Sequence, residues 1–371
     1  MKTALDTAHG SLPLPAFMPD ATRGAVRTLD AADTRKCGIR ALMVNVLHLS
    51  SHPGVSVVSG LGGIHAFMDW KDVVASDSGG FQAYSLVADS KNLGSVTKKG
   101  FAYRFDQSQR KKTLTPEKCI ERQFQLGADI MFCLDYCTHP EADATTQRDS
   151  VEFTVHWAAR CKDEFLRRVE ARGPNEARPL LFAVIQGGTD RTLRAECAER
   201  LLEIGFDAFG YGGWPIDDDG ALIDAVAYVA ELIPDAFPKH ALGIGKPENV
   251  VAAFRVGYDL FDCVIPTRDA RHRRLYAFAT DPRYIHARSD DFYRCVYLQD
   301  DKHARDDGPI DAFCDCACCT AYSRAYLHHL FNVNEQVAGR LATIHNLRFY
   351  ARLMERLHMI RQRRQEPEAA P

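Results

Sequence analysis

Short apolar runs alternate with longer amphipathic segments along most of the chain. Repeated units of a buried strand followed by a helix are typical of a parallel sheet. Seven candidate strands fit this pattern: Leu42–Val46, Val73–Ser76, Asp129–Leu134, Leu180–Ile185, Ala208–Tyr211, Ala241–Ile244 and Phe261–Ile265. Such units, spread over about 250 residues, predict an α/β fold and favour an eight-stranded (β/α)8 TIM barrel over an open doubly wound sheet. The pattern does not place the eighth strand.

Capping signals delimit three of the intervening helices. Each predicted helix begins at an N-cap residue or a first-turn proline and stops near a glycine. The helices start at Thr115-Pro116-Glu117, Asp190 and Pro247-Glu248 and end near Gly127, Gly205 and Gly257, respectively.

The length allows one large domain with an insertion or two domains. We predict a single soluble globular domain over residues 1–371. Of the 371 residues, 46% are hydrophobic and 26% are charged, which is ordinary for such a protein. No stretch approaches the roughly 20 apolar residues that a membrane span needs, so no membrane partner is expected. The amino terminus lacks the apolar core of a secretory signal, and the 12 cysteines show no regular disulfide framework. These features predict a cytoplasmic protein.

Charge by itself gives little indication of nucleic-acid binding. The formal net charge is −3, although arginines crowd two short segments: Arg268, Arg271, Arg273 and Arg274 in one, and Arg361, Arg363 and Arg364 in the other. Taken alone, such runs more often form a solvated surface than an RNA site. Residues 362–371 are predicted to form a disordered tail.

Glycine and polar side chains recur where the predicted strands end. They are Asp77-Ser78-Gly79-Gly80, Asp135, Gln186-Gly187-Gly188, Gly212-Gly213, Gly243-Ile-Gly245-Lys246 and Asp262. Any one of them is more simply a turn residue or a helix cap. The carboxyl ends of barrel strands form one face, however, so together they predict an active site where a flat ligand lies close to the backbone. No phosphate loop or dinucleotide fingerprint is present, and no nucleotide cofactor is expected.

Asp77 and Asp262 are the strongest candidates for catalysis. A pair of carboxylates across a sugar can break a glycosidic bond, one as nucleophile and the other as acid and base. Burial and mutual repulsion would separate their proton affinities and leave one carboxylate charged for attack.

A cysteine cluster near the carboxyl terminus predicts a structural metal. Cys314, Cys316, Cys319 and His345 form a three-thiolate, one-imidazole set that suits tetrahedral Zn²⁺, and four protein ligands leave no open position for catalysis. Cys318 could replace Cys319 by a slip of one position. Free packed thiols or disulfides are the alternative interpretations.

Four long motifs resemble those of the tRNA-guanine transglycosylases. They are Asp77-Ser-Gly-Gly-Phe-Gln82, Phe261-Asp-Cys-Val-Ile-Pro-Thr-Arg268, the cysteine cluster and Tyr322-Ser-Arg-Ala-Tyr-Leu-His-His329. The resemblance is colinear from Ala8 to Phe349, and it is to the bacterial branch of the family. It implies a (β/α)8 barrel with an inserted zinc-binding subdomain at approximately 285–350. It also implies exchange of the wobble guanine of tRNA anticodons for a 7-deazaguanine base in queuosine modification.

The resemblance implies a role for each matching residue. Asp262 would be the nucleophile on the ribose anomeric carbon, and Asp77 the general acid and base. Asp135, Ser78, Gln186 and the backbone of Gly213 would hydrogen-bond the flipped base, and Phe81 and Leu242 would sandwich it. Arg268 and Arg271 would grip the anticodon loop. One structural Zn²⁺ per chain and a homodimer with Tyr326 and His329 near the interface are also implied.

One departure from the family pattern leaves the incoming base open between queuine and 7-aminomethyl-7-deazaguanine, and a second affects the grip on RNA. Gly212-Gly213 is followed by Trp214-Pro215-Ile216-Asp217-Asp218 instead of the usual Leu-Ala-Val-Gly-Glu, and Asp218 could replace that glutamate with a shorter reach. The His-Arg-Arg-Leu segment after Arg271 is more basic than usual. Alternative functions are base exchange or glycosidic hydrolysis on DNA or another nucleic acid, and a non-catalytic RNA-binding subunit.

Overall fold

The computed structural model of this chain describes residues 2–89, 93–104, 110–174, 176–286 and 291–365. Its strands, in chain order, are β1 Ala4–Thr7, β2 Gly10–Pro13, β3 Ala16–Pro19, β4 Ala41–Asn45, β5 Val73–Asp77, β6 Gly94–Thr97, β7 Gly100–Tyr103, β8 Lys112–Leu114, β9 Ile130–Phe132, β10 Leu180–Ile185, β11 Ala208–Tyr211, β12 Lys239–Leu242, β13 Leu260–Cys263, β14 Arg274–Phe278 and β15 Tyr293–Tyr297. Its helices are α1 Ala31–Lys36, α2 Val46–Ser51, α3 Val55–Gly60, α4 Gly63–Met68, α5 Gly80–Asp89, α6 Pro116–Leu126, α7 Ala144–Arg172, α8 Arg191–Ile204, α9 Asp224–Leu232, α10 Pro247–Arg255, α11 Ile265–Arg271, α12 Ala317–Ala321, α13 Arg324–Asn332 and α14 Gln336–Gln365, with 3-10 turns at Pro282–Tyr284 and Asp301–Arg305.

Eight parallel strands form a closed barrel. Their order is β3-β13-β12-β11-β10-β9-β5-β4, and every neighbouring pair is parallel. The two end strands also meet, because Asp20 pairs with Met43 in a parallel bridge and the Ala21 N–H donates to the Met43 carbonyl at 2.7 Å. The predicted (β/α)8 barrel is confirmed, and the strand that the sequence pattern did not place is β3, the first in the barrel.

The seven predicted strands are all present: β10 and β11 have the predicted bounds, and the other five have shifted ends. β12 begins at Lys239, two residues before the predicted start. An apolar pattern does not include Lys239 and His240, because both residues are polar although they are buried. The Lys239 ammonium group donates to the Ala230 carbonyl at 2.6 Å. The last predicted strand was drawn too long at its carboxyl end, since Ile265 belongs to α11 and not to β13.

The predicted helix ends are largely confirmed. The Thr115 side chain accepts the Lys118 N–H at the start of α6, and Gly127 ends that helix with a left-handed φ of 76°. The Asp190 carboxylate caps α8 in the same way. α10 ends at Arg255, two residues before the predicted glycine.

The barrel interior is filled with apolar side chains, as is usual for this fold. Met18, Phe132, Phe182 and Leu260 are buried in one cluster inside the barrel, and the ring centroids of Phe132 and Phe182 lie 5.3 Å apart. A larger apolar layer separates the strands from the surrounding helices. A ligand can therefore enter only at the rim, above this packed floor.

The carboxyl-terminal segment packs against the barrel instead of standing apart from it. Leu327 of α13 and Leu347 of α14 share a buried cluster with Leu49 and Ile64 of the early helices. α14 continues to Gln365, so residues 362–365, which were predicted to be disordered, are helical. Residues 366–371, the rest of the predicted tail, lie outside the described residues. Within the described part of the chain, no helix is long and apolar enough to cross a membrane.

Candidate functional site

The predicted polar residues converge on one cavity at the carboxyl ends of the barrel strands. Asp77 is the last residue of β5, and Asp262 lies one residue before the end of β13. The cavity has a volume of about 350 Å³. Its lining includes all eight predicted catalytic and base-binding residues: Asp77, Ser78, Phe81, Asp135, Gln186, Gly213, Leu242 and Asp262. Phe132 and Val184 from the packed interior form part of its floor.

Asp77 is held as a partly protonated carboxyl. Burial raises its pKa to about 7, and the nearby Asp262 carboxylate acts in the same direction. The Asn45 side-chain amide donates to its Oδ2 at 2.6 Å, and the Val46 N–H donates to its Oδ1 at 3.3 Å. These hydrogen bonds lower the pKa but do not offset the burial. Asp77 can therefore both give and accept a proton near neutral pH.

Asp262 is oriented by a histidine beneath the cavity. Nε2 of His240 lies 2.9 Å from Asp262 Oδ1, and the Gly243 N–H donates to the same oxygen at 3.3 Å. His240 is completely buried. Since a carboxylate only accepts hydrogen bonds, Nε2 carries the proton of this imidazole. His240 is a functional residue that was not predicted from the sequence. Its place two residues before the Leu242 end of a barrel strand is the signal that could have found it.

Asp135 is the third carboxylate in the cavity. Nε2 of Gln186 donates to its Oδ2 at 2.7 Å, and the Ser78 hydroxyl donates to its Oδ1 at 3.3 Å. Burial raises its pKa to about 6. A Cβ at Gly212 would lie 2.4 Å from Gln186 Nε2, so the glycine permits this contact. The carboxyl is thus fixed by neighbours that leave it facing the cavity.

Apolar side chains form the upper walls of the cavity. The Phe81 side chain is half exposed, and its ring centroid lies 5.7 Å from that of Trp214. The Tyr211 hydroxyl donates to the Trp214 carbonyl at 3.1 Å and so fixes the loop that carries the indole. Asp218, in the same loop, is exposed and does not line the cavity. The hypothesis that Asp218 replaces the usual glutamate inside the site is not supported by this arrangement.

The two predicted RNA-contacting arginines lie on α11, which directly follows the strand that carries Asp262. The Arg268 side chain is 52% exposed. Arg271 is partly buried, which lowers its pKa below the ordinary value, and it donates to the Thr267 carbonyl at 2.8 Å. The other basic run differs, because buried Arg361 pairs with Asp259 at 2.5 Å. In the first run, Arg268 presents exposed charge on the helix that follows the Asp262 strand.

The cysteine cluster forms a compact set of donor atoms. The ligand atoms of Cys314, Cys316, Cys319 and His345 all lie within 4.8 Å of one another. Nδ1 of His345 is 3.1 Å from Cys319 Sγ, and Nε2 lies 2.6 Å from the Tyr276 carbonyl. The carbonyl can only accept, so Nε2 carries the proton and the Nδ1 lone pair faces the thiols. The four residues fit one metal ion, and Cys318 is not among them.

All cysteines are free thiols, so the disulfide interpretation of the cluster is wrong. Cys318 is buried and belongs to the apolar cluster beneath α13 and α14. Its neighbour Cys319 occupies the ligand position, because Cys316 caps α12 and the short helix turns the two adjacent thiols in different directions.

These features define the class of protein: a closed (β/α)8 barrel with a glycine-rich, three-carboxylate cavity at its catalytic rim and a separate Cys3His centre. A family model described as queuine tRNA-ribosyltransferase matches residues 2–365. Bacterial proteins of that name are similar over most of their length. The relative from Psychrobacter sp. (strain PRwf-1) is 37% identical over 94% of this chain and 86% of its own. Those from Thermoanaerobacter pseudethanolicus and Pseudoalteromonas translucida are each 36% identical, over 95% and 96% of this chain and 88% and 92% of their own.

The chain belongs to the queuine tRNA-ribosyltransferase family. The predicted family, its bacterial branch and the enzyme class, a pentosyltransferase, are confirmed.

The two adjacent cysteines provide a matched test of the metal centre. Cys319→Ala removes a ligand atom, so we expect the purified protein to lose its bound metal and much of its soluble yield. Cys318→Ala changes a buried thiol of the same size outside the cluster, and the metal should remain at about one ion per chain. Metal content by plasma mass spectrometry measures both. Metal loss in Cys318→Ala with retention in Cys319→Ala would reverse the ligand assignment.

The raised pKa of Asp77 predicts a pH-dependent stability. Its pKa is about 7 in the folded protein against an ordinary 3.8, so the native state binds more protons than the unfolded state between these values. The contribution of Asp77 to the free energy of unfolding therefore falls as pH rises through this window, and it is lost completely above the window. Asp77→Asn removes the group, and the Tm of the variant minus that of the wild type should grow from about pH 4 to about pH 7 and then level off. A difference that stays constant with pH in thermal unfolding would contradict the raised pKa. Asp135 is common to both proteins and cancels.

Proposed function

We propose that this protein is a tRNA-guanine transglycosylase that exchanges the wobble guanine of tRNA anticodons for a 7-deazaguanine base through a covalent Asp262–ribose intermediate. The observation that carries the proposal is the pair of carboxylates in one cavity, Asp77 with a pKa of about 7 and Asp262 oriented by His240. The family assignment supplies the substrate class. The tRNA substrate and the reduced cysteines are consistent with the cytoplasm.

The proposed reaction uses the two carboxylates in sequence. An Asp262 oxygen attacks the ribose anomeric carbon, the bond from that carbon to guanine breaks, and Asp77 gives its proton to the departing base. The incoming base returns a proton to Asp77 and displaces Asp262 from the same carbon. Each bond formed replaces one broken, and both carboxyls return to their starting states. His240 acts as a positioning residue, since it touches Asp262 and does not line the cavity.

The base is proposed to lie flat between Phe81 and Leu242, with Asp135 at its hydrogen-bonding edge. A carboxylate accepts from the N–H groups on one edge of guanine, and Gln186 and the backbone of Gly213 lie next to Asp135 to complete recognition. Ser78 hydrogen-bonds both Asp135 and the Gly80 N–H, and so ties this edge to the catalytic loop.

The RNA strand is proposed to cross the rim beside α11. Arg268 is exposed there, and Arg271 lines a surface depression together with Arg273 and Arg340. Guanidinium groups contact phosphates of any sequence, so these residues would hold the anticodon loop without reading its bases.

A homodimer is part of the proposal. Exposed Tyr326 stacks on Tyr322 with ring centroids 5.1 Å apart, and His329 is exposed on the same helix, so these side chains are available to a second subunit.

The Cys3His centre is proposed to hold one structural Zn²⁺. Three thiolates with one imidazole are a donor set that zinc prefers, and four protein ligands leave no site for water. When bound, the ion would join the segment around α12 to α14.

The incoming base is proposed to be queuine. Trp214, Pro215 and Ile216 form an apolar wall of the cavity, and Asp218 of the same loop is outside it. A short charged aminomethyl group would gain no carboxylate partner from this loop. The cyclopentene ring of queuine can instead pack against the indole of Trp214.

Asp262→Asn should reduce incorporation of radiolabelled guanine into tRNA by at least about 1,000-fold, because the nucleophile is lost while the shape of the cavity is kept. Asp219→Asn, an exposed aspartate in the loop after Trp214, is the matched control and should retain activity. Normal exchange by Asp262→Asn would sink the nucleophile assignment. Equal labelling of DNA, or release of guanine without uptake, would favour the alternative activities.

The apolar wall predicts which side chain of the loop determines the choice of incoming base. Trp214→Ala should raise the KM for queuine roughly tenfold, because an aromatic contact is lost, with little change in the KM for guanine. Asp218→Asn should leave both values unchanged. Competition of queuine and 7-aminomethyl-7-deazaguanine against labelled guanine measures the preference. A stronger effect of Asp218→Asn than of Trp214→Ala would restore the carboxylate hypothesis, and a preference for the aminomethyl base would contradict queuine.

A further inference from the structure

A second cluster of metal-binding side chains lies at the opposite end of the barrel from the active site. His9, His65 and Asp129 place their ligand atoms within 4.8 Å of one another. Among the described residues, this and the Cys3His centre are the groups of that kind. Asp129 immediately precedes β9, so the cluster sits at the amino-terminal ends of the strands, about a full barrel length from Asp77 and Asp262.

The three residues come from separate segments that meet only in the folded chain. His9 lies in the turn between β1 and β2, and His65 lies on α4. The Asp129 side chain is only 1% exposed. Its Oδ1 is 2.7 Å from His9 Nδ1, and its Oδ2 is 3.2 Å from His65 Nε2. Separations of about 3 Å between ligand atoms are those of neighbouring corners in the coordination shell of a small divalent ion with bonds of about 2.0–2.2 Å.

One ring nitrogen of His65, Nε2, faces this cluster without a hydrogen-bond partner. Its Nδ1 lies 3.2 Å from the Trp70 carbonyl, which can only accept, so Nδ1 carries the proton. In the neutral ring Nε2 then presents a lone pair toward the cluster. Nε2 is buried and has no hydrogen-bond partner. A lone pair that faces the Asp129 carboxylate at 3.2 Å is unfavourable. Either a second proton on His65, which would make an ion pair with Asp129, or a bound metal ion relieves it.

The cluster is also open to a metal ion from solvent. It borders a cavity of about 270 Å³, and the His9 side chain is 37% exposed. The rings of His9 and His65 stack with centroids 3.5 Å apart, so one ring would have to turn out of the stack for both nitrogen lone pairs to reach one ion. Arg172 lines the same cavity, but its guanidinium pairs with Glu176 at 3.3 Å.

We propose that His9, His65 and Asp129 form a binding site for a divalent transition-metal ion of the zinc and cobalt type. Two imidazoles and one carboxylate suit such ions, and the cavity leaves room for water in the remaining coordination positions. The ion would connect the β1–β2 turn, α4 and the start of β9. Because only the folded chain brings these segments together, binding would stabilise the fold and would not alter the transfer reaction.

Cobalt titration of the zinc-loaded protein tests this site. We expect about one Co²⁺ per chain beyond the zinc, measured by equilibrium dialysis, and a higher Tm in its presence. His9→Gln should weaken this binding at least about tenfold, since even residues that only support metal ligands carry 10- to 100-fold in affinity. His52→Gln replaces an exposed histidine outside the cluster and should bind as the wild type does. Near-ultraviolet absorption spectra show whether cobalt has instead displaced zinc, because only the thiolate centre gives sulfur-to-cobalt charge transfer.

The proposal is overturned if no saturable Co²⁺ binding occurs up to about 1 mM, or if His9→Gln binds as tightly as the wild type. If that variant fails to fold, crystals of the wild-type protein soaked in Co²⁺ give the decision. An anomalous-scattering peak between His9 Nδ1 and His65 Nε2 supports the site, and a peak only at the cysteines rejects it.

Discussion

Hydrogen bonding between β3 and β4 closes the sheet, and the arrangement of the site depends on that closure. In an open sheet four strands, β12, β11, β10 and β9, would separate β13 from β5, whereas closure through β3 and β4 leaves only two strands between them on that side. Closure brings Asp77 and Asp262 to opposite walls of one cavity. The filled interior then keeps a ligand at the rim, where the loops after the strands can contact it. The chemistry is thus a consequence of topology before it is a consequence of any one side chain.

Within this frame, desolvation is the dominant force on the site's carboxylates. Burial raises the pKa of Asp77 to about 7 and that of Asp135 to about 6, against the hydrogen bonds that each accepts. A water-filled rim would leave both groups fully ionised at neutral pH, and Asp77 would have no proton to give. Asp262 is placed differently, against a buried imidazole that holds one oxygen and leaves the carboxylate directed at the cavity. Environment separates the roles of two chemically identical side chains.

Much of this arrangement follows from the sequence, because parallel strands are short apolar runs with glycine and polar residues at their ends. The parts that did not follow have physical reasons. β3 is only four residues long, ends in Pro19 and follows two other prolines, so turn signals hide it. Lys239 and His240 are polar residues in a buried strand, and only tertiary contacts make them acceptable there. His9, His65 and Asp129 are widely spaced along the chain, and no spacing motif could associate them. Cys318 and Cys319 are indistinguishable by spacing, and the turn of α12 separates them.

The central claim is that Asp262 forms a covalent bond to ribose during base exchange. Its most direct measurement is mass spectrometry of the protein–RNA complex formed with tRNA in the absence of free base, denatured, digested with nuclease and protease, and mapped by peptide. The account predicts a ribose-containing adduct on the peptide with Asp262, localised to that side chain. An adduct on Asp77, or active exchange with no adduct on any aspartate, would contradict it.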